Sequence, residues 1–166
     1  MSDTTTSKLI LKEWNTITLS IKEQMKSRGV RASNELRNAS LLVLRGQRHG
    51  RRYIVPGTGR VKYYKRTKTA KITYQHYTAS APGEAPAVRT GILRLSWQPK
   101  SYLVRTGDKY EIRSQALSTE RTENGKYLLS DILEEGTSKM EPRPHQQQII
   151  DKAMPNIMRI YQEPYV

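Results

Sequence analysis

The chain predicts an α+β fold: a long N-terminal helix, an extended basic β-arm, a small antiparallel sheet and a C-terminal helix. Three observations carry this expectation. Apolar residues recur at three- and four-residue spacing from Lys8 to Leu44, the signature of one helical face. Runs of β-formers punctuated by Pro and Gly then occupy Tyr53 to Ser114, and a second helical stripe closes the chain. At 166 residues the polypeptide is of ordinary single-domain size, so residues 1–166 are expected to form one domain with 46–80 as a projecting arm.

Taken in order, Ile10, Trp14, Ile17, Ile21, Met25, Ala32, Leu36, Ala39 and Val43 form the first stripe, with Trp14 and Met25 read as core packing. Gly29 lies within it, costs about 1 kcal/mol against Ala, and marks a weak point at which one helix could become two. Gly46 ends the helix. Tyr53–Val55 and Arg60–Tyr64 flank Pro56-Gly57-Thr58-Gly59, which reads as a hairpin with its turn at the arm's tip. The arm continues through Ile72, Tyr74 and His76 and breaks at Pro82-Gly83.

Leu93, Leu95 and Trp97 alternate with Arg94 and Ser96 as in a half-buried strand, although Thr90 could instead cap a short helical turn. Tyr102 and Val104, then Thr106-Gly107-Asp108-Lys109, then Tyr110, Ile112 and Ser114 make the clearest hairpin. Residues 117–126 form a polar loop, and Tyr127 to Leu133 returns to apolar material. A connector, "EEGTSKMEPRP", leads to Pro144 in the first turn of the last helix. There Ile149, Ala153, Ile157 and Ile160 supply the buried stripe, and Pro155 is expected to kink it.

Composition narrows the chemistry. Hydrophobic residues make up 36% and phenylalanine is absent, so the core rests on Leu, Ile, Val, Met, two Trp and ten Tyr. So lean a core leaves apolar surface for neighbouring subunits to complete. Without cysteine there is no disulfide, thiolate nucleophile or Cys-based zinc site. "MSDTTTSKLILKEW" lacks the apolar run of a signal peptide, and no window approaches 18 consecutive apolar residues, so a soluble, non-secreted chain with no membrane contact is expected.

Charge is the loudest signal. Lys and Arg number 29 against 15 Asp and Glu, for a net +14. From Arg28 to Lys71 thirteen basic residues stand against Glu35 alone. Such asymmetry calls for a polyanionic partner, nucleic acid or an acidic protein face. The candidate contact residues are Arg45, Arg48, Arg51, Arg52, Arg60, Lys62, Lys65, Arg66, Lys68 and Lys71, interleaved with Tyr53, Tyr63, Tyr64, Tyr74 and Tyr77. Cations would neutralise phosphates and tyrosine rings would stack on bases; equally, the tyrosines serve as strand formers and the charges as a solvated arm.

No enzyme emerges. His49, His76 and His145 lie far apart, none beside a second ligand type, which fits surface or partner-facing histidines and no metal site. Gly57-Thr58-Gly59 sits between strands and opens no helix, so it is a turn and not a phosphate cradle. Ser138, His145 and Asp151 are triad residue types without a nucleophile elbow. Asp131, Glu134 and Glu135 form an acidic edge. No cofactor is expected.

Two stretches, "ASAPGEAPAVRTGILRLSW" and "LSDILEEGTSKMEPRPHQQQIIDKA", resemble the phage tail-completion or neck-protein family, minor tail components at the head-to-tail junction of long-tailed phages. The first pattern falls on Ala81, Pro82, Gly83, Glu84, Pro86, Thr90, Gly91, Leu93 and Ser96, and the second on Leu133, Glu134, Gly136, Thr137, Ser138, Met140, Arg143 and Pro144. Arg89 departs from the family's frequent acid before the threonine. The resemblance spans residues 8–160. It implies a non-enzymatic virion protein in a ring of six copies between head connector and tail tube, around packaged double-stranded DNA. Pro82, Gly83, Thr90, Gly91, Leu93, Trp97, Gly136 and Pro144 would then anchor the fold. The basic arm and the acidic edge of Asp131, Glu134, Glu135 and Glu141 would be complementary subunit patches. A free nucleic-acid-binding module using residues 28–78 is the alternative.

Overall fold

A computed structural model describes residues 3–46 and 48–165, with side chains from residue 6 onward. It is α+β, with a long first helix, small antiparallel sheets and a C-terminal helix. Three two-stranded antiparallel sheets are present, two of them within residues 46–80 and the third a separate hairpin. By compactness the chain divides into two units: Met1–Asn38, Gln98–Leu117 and Lys152–Val166 form the first, and Ala39–Trp97 with Ser118–Asp151 the second.

Helix α1 runs from Asp3 to Arg45 without a break. Gly29 does not divide it, because that position is where a neighbour comes closest: a Cβ there would stand 2.5 Å from Ile112 Cγ2 and 3.3 Å from Ser101 Cβ. Ser101 and Ile112 belong to a hairpin formed by β5 (Trp97–Thr106) and β6 (Lys109–Ser118), turning at Gly107-Asp108. Ser114 Oγ donates to Gly29 O at 3.0 Å and meets Tyr161 Oη at 3.0 Å, so helix, hairpin and C-terminal segment lock at one point.

The same unit consumes two of the cations counted above. Arg28 is buried, donates to Pro164 O at 2.7 Å and lies 3.8 Å from the Tyr165 ring centroid. Arg31 grips Glu163 through both guanidinium nitrogens. These arginines fasten the chain's end to α1 and are structural. Trp14 corrects the sequence reading: it is 64% exposed, and Ile10 and Ile17 beside it are exposed too. The hairpin reaches only to Lys22, whose Nζ sits 4.5 Å from the Tyr110 ring centroid, and turns back. Earlier turns of α1 keep their apolar stripe in solvent.

In the second unit, the last turns of α1 contribute buried Ala39, Ser40 and Leu44, joined by Ala85, Trp97, Ser118, Ser130, His145 and Ile149. Helix α2 (Ile92–Leu95) replaces the expected strand. Its N-cap position is Gly91, left-handed at φ 81, and not Thr90, whose Oγ1 lies one residue earlier and meets Ile92 N at 3.4 Å. Within this turn Leu93 is half-buried and Leu95 is 63% exposed, and Trp97, which opens β5, is 7% exposed. Helix α3 (Leu129–Glu135) follows. Helix α4 (Gln146–Gln162) runs unbroken through Pro155, with Ile149, Ala153 and Ile160 buried and Ile157 half-buried, as its spacing predicts.

Two substitutions test this packing by chemical denaturation. Gly29→Ala gains about 1 kcal/mol of helix propensity but overpacks Ile112 at a cost of about 1–3 kcal/mol, so a net loss is expected where a helical Gly→Ala normally stabilises. Trp97→Ala should cost about 3–5 kcal/mol, and Trp14→Ala less than about 0.5 kcal/mol. Equal losses for the two tryptophans would contradict the packing.

Candidate partner-docking site

The second unit carries an extended arm whose base is tied by charge. Arg48 follows α1 and is half-buried; its guanidinium donates to Pro86 O at 3.1 and 3.2 Å and to Val43 O at 2.8 Å. Burial pulls its pKa down, and Glu84 partly restores it. Arg48 is thus engaged inside its own chain. One residue on, Glu84 accepts from His49 N at 3.1 Å and Ala81 N at 2.8 Å and pairs with His49 Nδ1 at 2.6 Å. The Ala81 amide first, then His49, hold the Glu84 carboxyl at about 2.

Above this clamp the two halves of the arm meet backbone to backbone. Gly50 N donates to Ala79 O and Ala79 N to Arg51 O, both at 2.9 Å. A Cβ at Gly50 would fall 2.6 Å from Ala79 O and 2.8 Å from the Ser80 carbonyl, so only glycine allows the approach. Ser80 itself is buried and receives Arg143 on its carbonyl at 2.8 Å and on its hydroxyl. Arg143, from the second recognisable stretch, thereby holds the arm's root, a role the sequence did not disclose.

Strands β1 (Arg52–Ile54) and β4 (His76–Thr78) pair first, with Tyr53 stacked on Tyr77 at 5.8 Å. Strands β2 (Arg60–Tyr64) and β3 (Thr69–Thr73) pair next. The tip is therefore residues 65–68, with Lys68 left-handed at φ 51, and not Pro56–Gly59. Five residues, 55–59, separate β1 from β2 where two, 74 and 75, separate β3 from β4. Pro56–Gly59 is the surplus, folded into a bulge that Thr58 closes by donating to Val55 O at 2.6 Å and accepting from Gln75 N at 3.1 Å.

Every residue from Gly59 to His76 is exposed, and the ladder sorts the side chains. One face carries Arg60, Lys62 and Tyr64 opposite Thr73, Lys71 and Thr69; the other carries Val61 and Tyr63 opposite Ile72 and Ala70. Lys62 directly faces Lys71, a like-charge pair that weakens a ribbon on its own. Of the ten basic residues predicted to make contacts, Arg45, Arg51, Arg52, Arg60, Lys62, Lys65, Arg66, Lys68 and Lys71 are exposed.

The acidic edge divides. Asp131, Glu135 and Glu141 are exposed, but Glu134 accepts from His145 N at 2.9 Å and Gln146 N at 3.2 Å and pairs with His145 Nδ1 at 2.8 Å. Its carboxylate thus completes the N-terminus of α4, where the helix dipole favours an anion. His145 corrects the surface assignment: it is fully buried, edge-on to Trp97 at 6.0 Å. Both partners of Nδ1, Glu134 and Arg143 O, are acceptors, so Nδ1 carries the proton. His49 is the clamp's partner, and His76 is exposed on β4.

Pro82 and Gly83 are exposed at the turn that presents Glu84, which Glu84 N closes on Ala81 O at 3.1 Å. Gly136 ends α3 at φ 77, with Met140 O and Pro142 N each 2.8 Å from where its Cβ would stand; Pro144 precedes α4. Beside these lies an open groove of about 620 Å³, lined by apolar Ala87, Ile92, Leu93, Leu129, Leu133 and Met140 and by the charged Arg89, Glu120, Arg121, Glu123 and Arg143. Among the described residues no group of three His, Asp or Glu could hold a metal ion, and no helix is long and apolar enough to cross a membrane. No protein-family model, curated protein or solved structure matches the chain.

The clamp predicts an acid response. The folded pKa of Glu84 lies below its ordinary 4.5, so its contribution is full above about pH 4.5 and is lost as pH falls from there towards 2. Thermal midpoints recorded from pH 6 to pH 2 should fall more steeply in the wild type than in Glu84→Gln. Parallel curves would remove Glu84 from the account.

Proposed function

We propose that this protein is a structural, non-enzymatic virion component of a phage neck, joining head connector to tail tube as one subunit of a ring around the DNA channel. The observation that carries the reading is the arm. Its base is secured by Arg48, Glu84 and Arg143, two of them in the stretches that resemble neck proteins, while residues 59–76 touch no core of their own. A rigidly rooted, fully exposed, cationic ribbon suits a protein that reaches into a neighbour. It assembles in the host cytoplasm and resides in the virion.

The alternative, a free nucleic-acid-binding module, draws support from the exposed rings of Tyr63, Tyr64 and Tyr74 among the cations, which offer stacking surface. A gel-shift titration across salt separates the two: strong binding with a steep salt slope belongs to the module.

Light scattering and negative-stain microscopy of the purified protein, alone and with tail tubes, test the neck reading. Closed rings or capped tubes are expected, and a stable monomer that joins neither would overturn it. Replacing Arg51, Arg52, Lys65 and Arg66 together by Glu should reduce tube attachment by about tenfold or more with an unchanged circular dichroism spectrum; an unfolded variant would make those residues structural instead.

A further inference from the structure

Resting on that ring reading, we propose that the β2–β3 ribbon of one copy seats its apolar face in the groove beside α2 and α3 of a second copy, and that this is the contact closing the ring. The ribbon needs a partner. Two strands alone are marginal in water, the Lys62–Lys71 pair repels, and on the opposite face Val61, Tyr63 and Ile72 are 70%, 61% and 54% exposed. Its own chain covers neither face.

Duplex DNA would satisfy only the cationic face. Phosphates would neutralise Arg60, Lys62 and Lys71 and leave Val61, Tyr63 and Ile72 in water. An apolar trough bordered by carboxylates accommodates both faces, and this chain displays one. Ile92 stands exposed at the groove, whose lining includes Leu93, Leu129, Leu133 and Met140, the carboxylates of Glu120 and Glu123, and Arg89, Arg121 and Arg143, of which Arg121 donates to Gly125 O and Arg143 to Ser80 O. Charge is complementary over the whole length of the two segments. Residues 46–80 hold nine Lys and Arg and no carboxylate, whereas 118–141 hold six carboxylates against three cations. Of those six, Glu134 is spent internally on His145 and Gln146, and Asp131 accepts from Ser130 Oγ.

Ribbon and groove are different patches of the same chain, so the contact is heterologous: each copy donates to the next and accepts from the one before. Such a contact closes into a ring when its rotation allows. The groove also gives a role to Ile92, which stands 52% exposed in its lining. That side chain awaits the ribbon of the preceding copy.

The absence of cysteine permits a clean test. V61C and I92C, made in separate chains, mixed and mildly oxidised, should yield a covalent dimer, and V61C with E111C, on the exposed side of β6, should not. K62E/K71E should weaken self-association about tenfold, and a partner carrying E120K/E123K should restore it; the cysteine pair decides the matter if the charge variant fails to fold. Rings in micrographs without the V61C–I92C bond would overturn this contact and leave the neck reading standing. Monomers that form no rings and cap no tubes would overturn both. Tight binding of a 30-base-pair duplex, lost in K62E/K71E and accompanied by no cross-link, would assign the ribbon to DNA and overturn the proposal.

Discussion

One carboxylate organises the second unit. Glu84 gathers the His49 and Ala81 amides and the His49 ring into a single clamp, and the two ends of the arm leave the body from there. A carboxylate that accepts from backbone amides is held more tightly than one in a surface ion pair, because its donors are fixed in direction and do not need to be ordered first. That constraint lets Gly50 and Ala79 meet at hydrogen-bond distance. Without it the exposed ribbon would be a loose tether; with it, the direction of Arg60, Lys62 and Lys71 is set before any partner arrives.

Economy of apolar material runs through the rest. The buried positions of both units are largely Ala and Ser with a few Leu, Ile and Trp, so polar groups do work that larger side chains would do elsewhere. Glu134 and His145 at the start of α4, Arg143 on Ser80, and Arg28 on Pro164 and Tyr165 each join distant stretches of chain through directed hydrogen bonds or charge. The apolar residues left over are on display: the early stripe of α1, one face of the ribbon and the walls of the groove. On the proposed reading the assembled ring, and not the isolated chain, is the state in which this material is buried.

What the sequence disclosed follows the range of the interactions involved. The span of α1, the hairpin at Gly107-Asp108 and the stripe of α4 are periodic, and periodicity is local. Pro56-Gly57 misled because it is a strong local turn signal, whereas the register that makes it a bulge depends on partners about twenty residues away, from Val55 to Gln75. Leu93 and Leu95 fit a strand and a helical turn equally; the chain makes the turn and begins its strand only at Trp97. Glu84, Arg143 and His145 were invisible as structural groups, since a carboxylate bound to a remote amide leaves no spacing to read. The one trace was their presence in the stretches that resemble neck proteins. Trp14 failed for a different reason: amphipathic spacing shows that a face is to be covered, not that this chain covers it.

The account turns on a rigid root bearing a ribbon that is incomplete by itself. Amide hydrogen exchange of the isolated protein, followed by mass spectrometry and compared with assembled rings, measures this directly. The amides of Gly50, Ala79 and Ala81 should be protected in both states, and those of residues 60–73 should exchange quickly in the isolated chain and slowly in the ring. Ribbon amides already as protected as the root in the isolated protein, and unchanged on assembly, would contradict it.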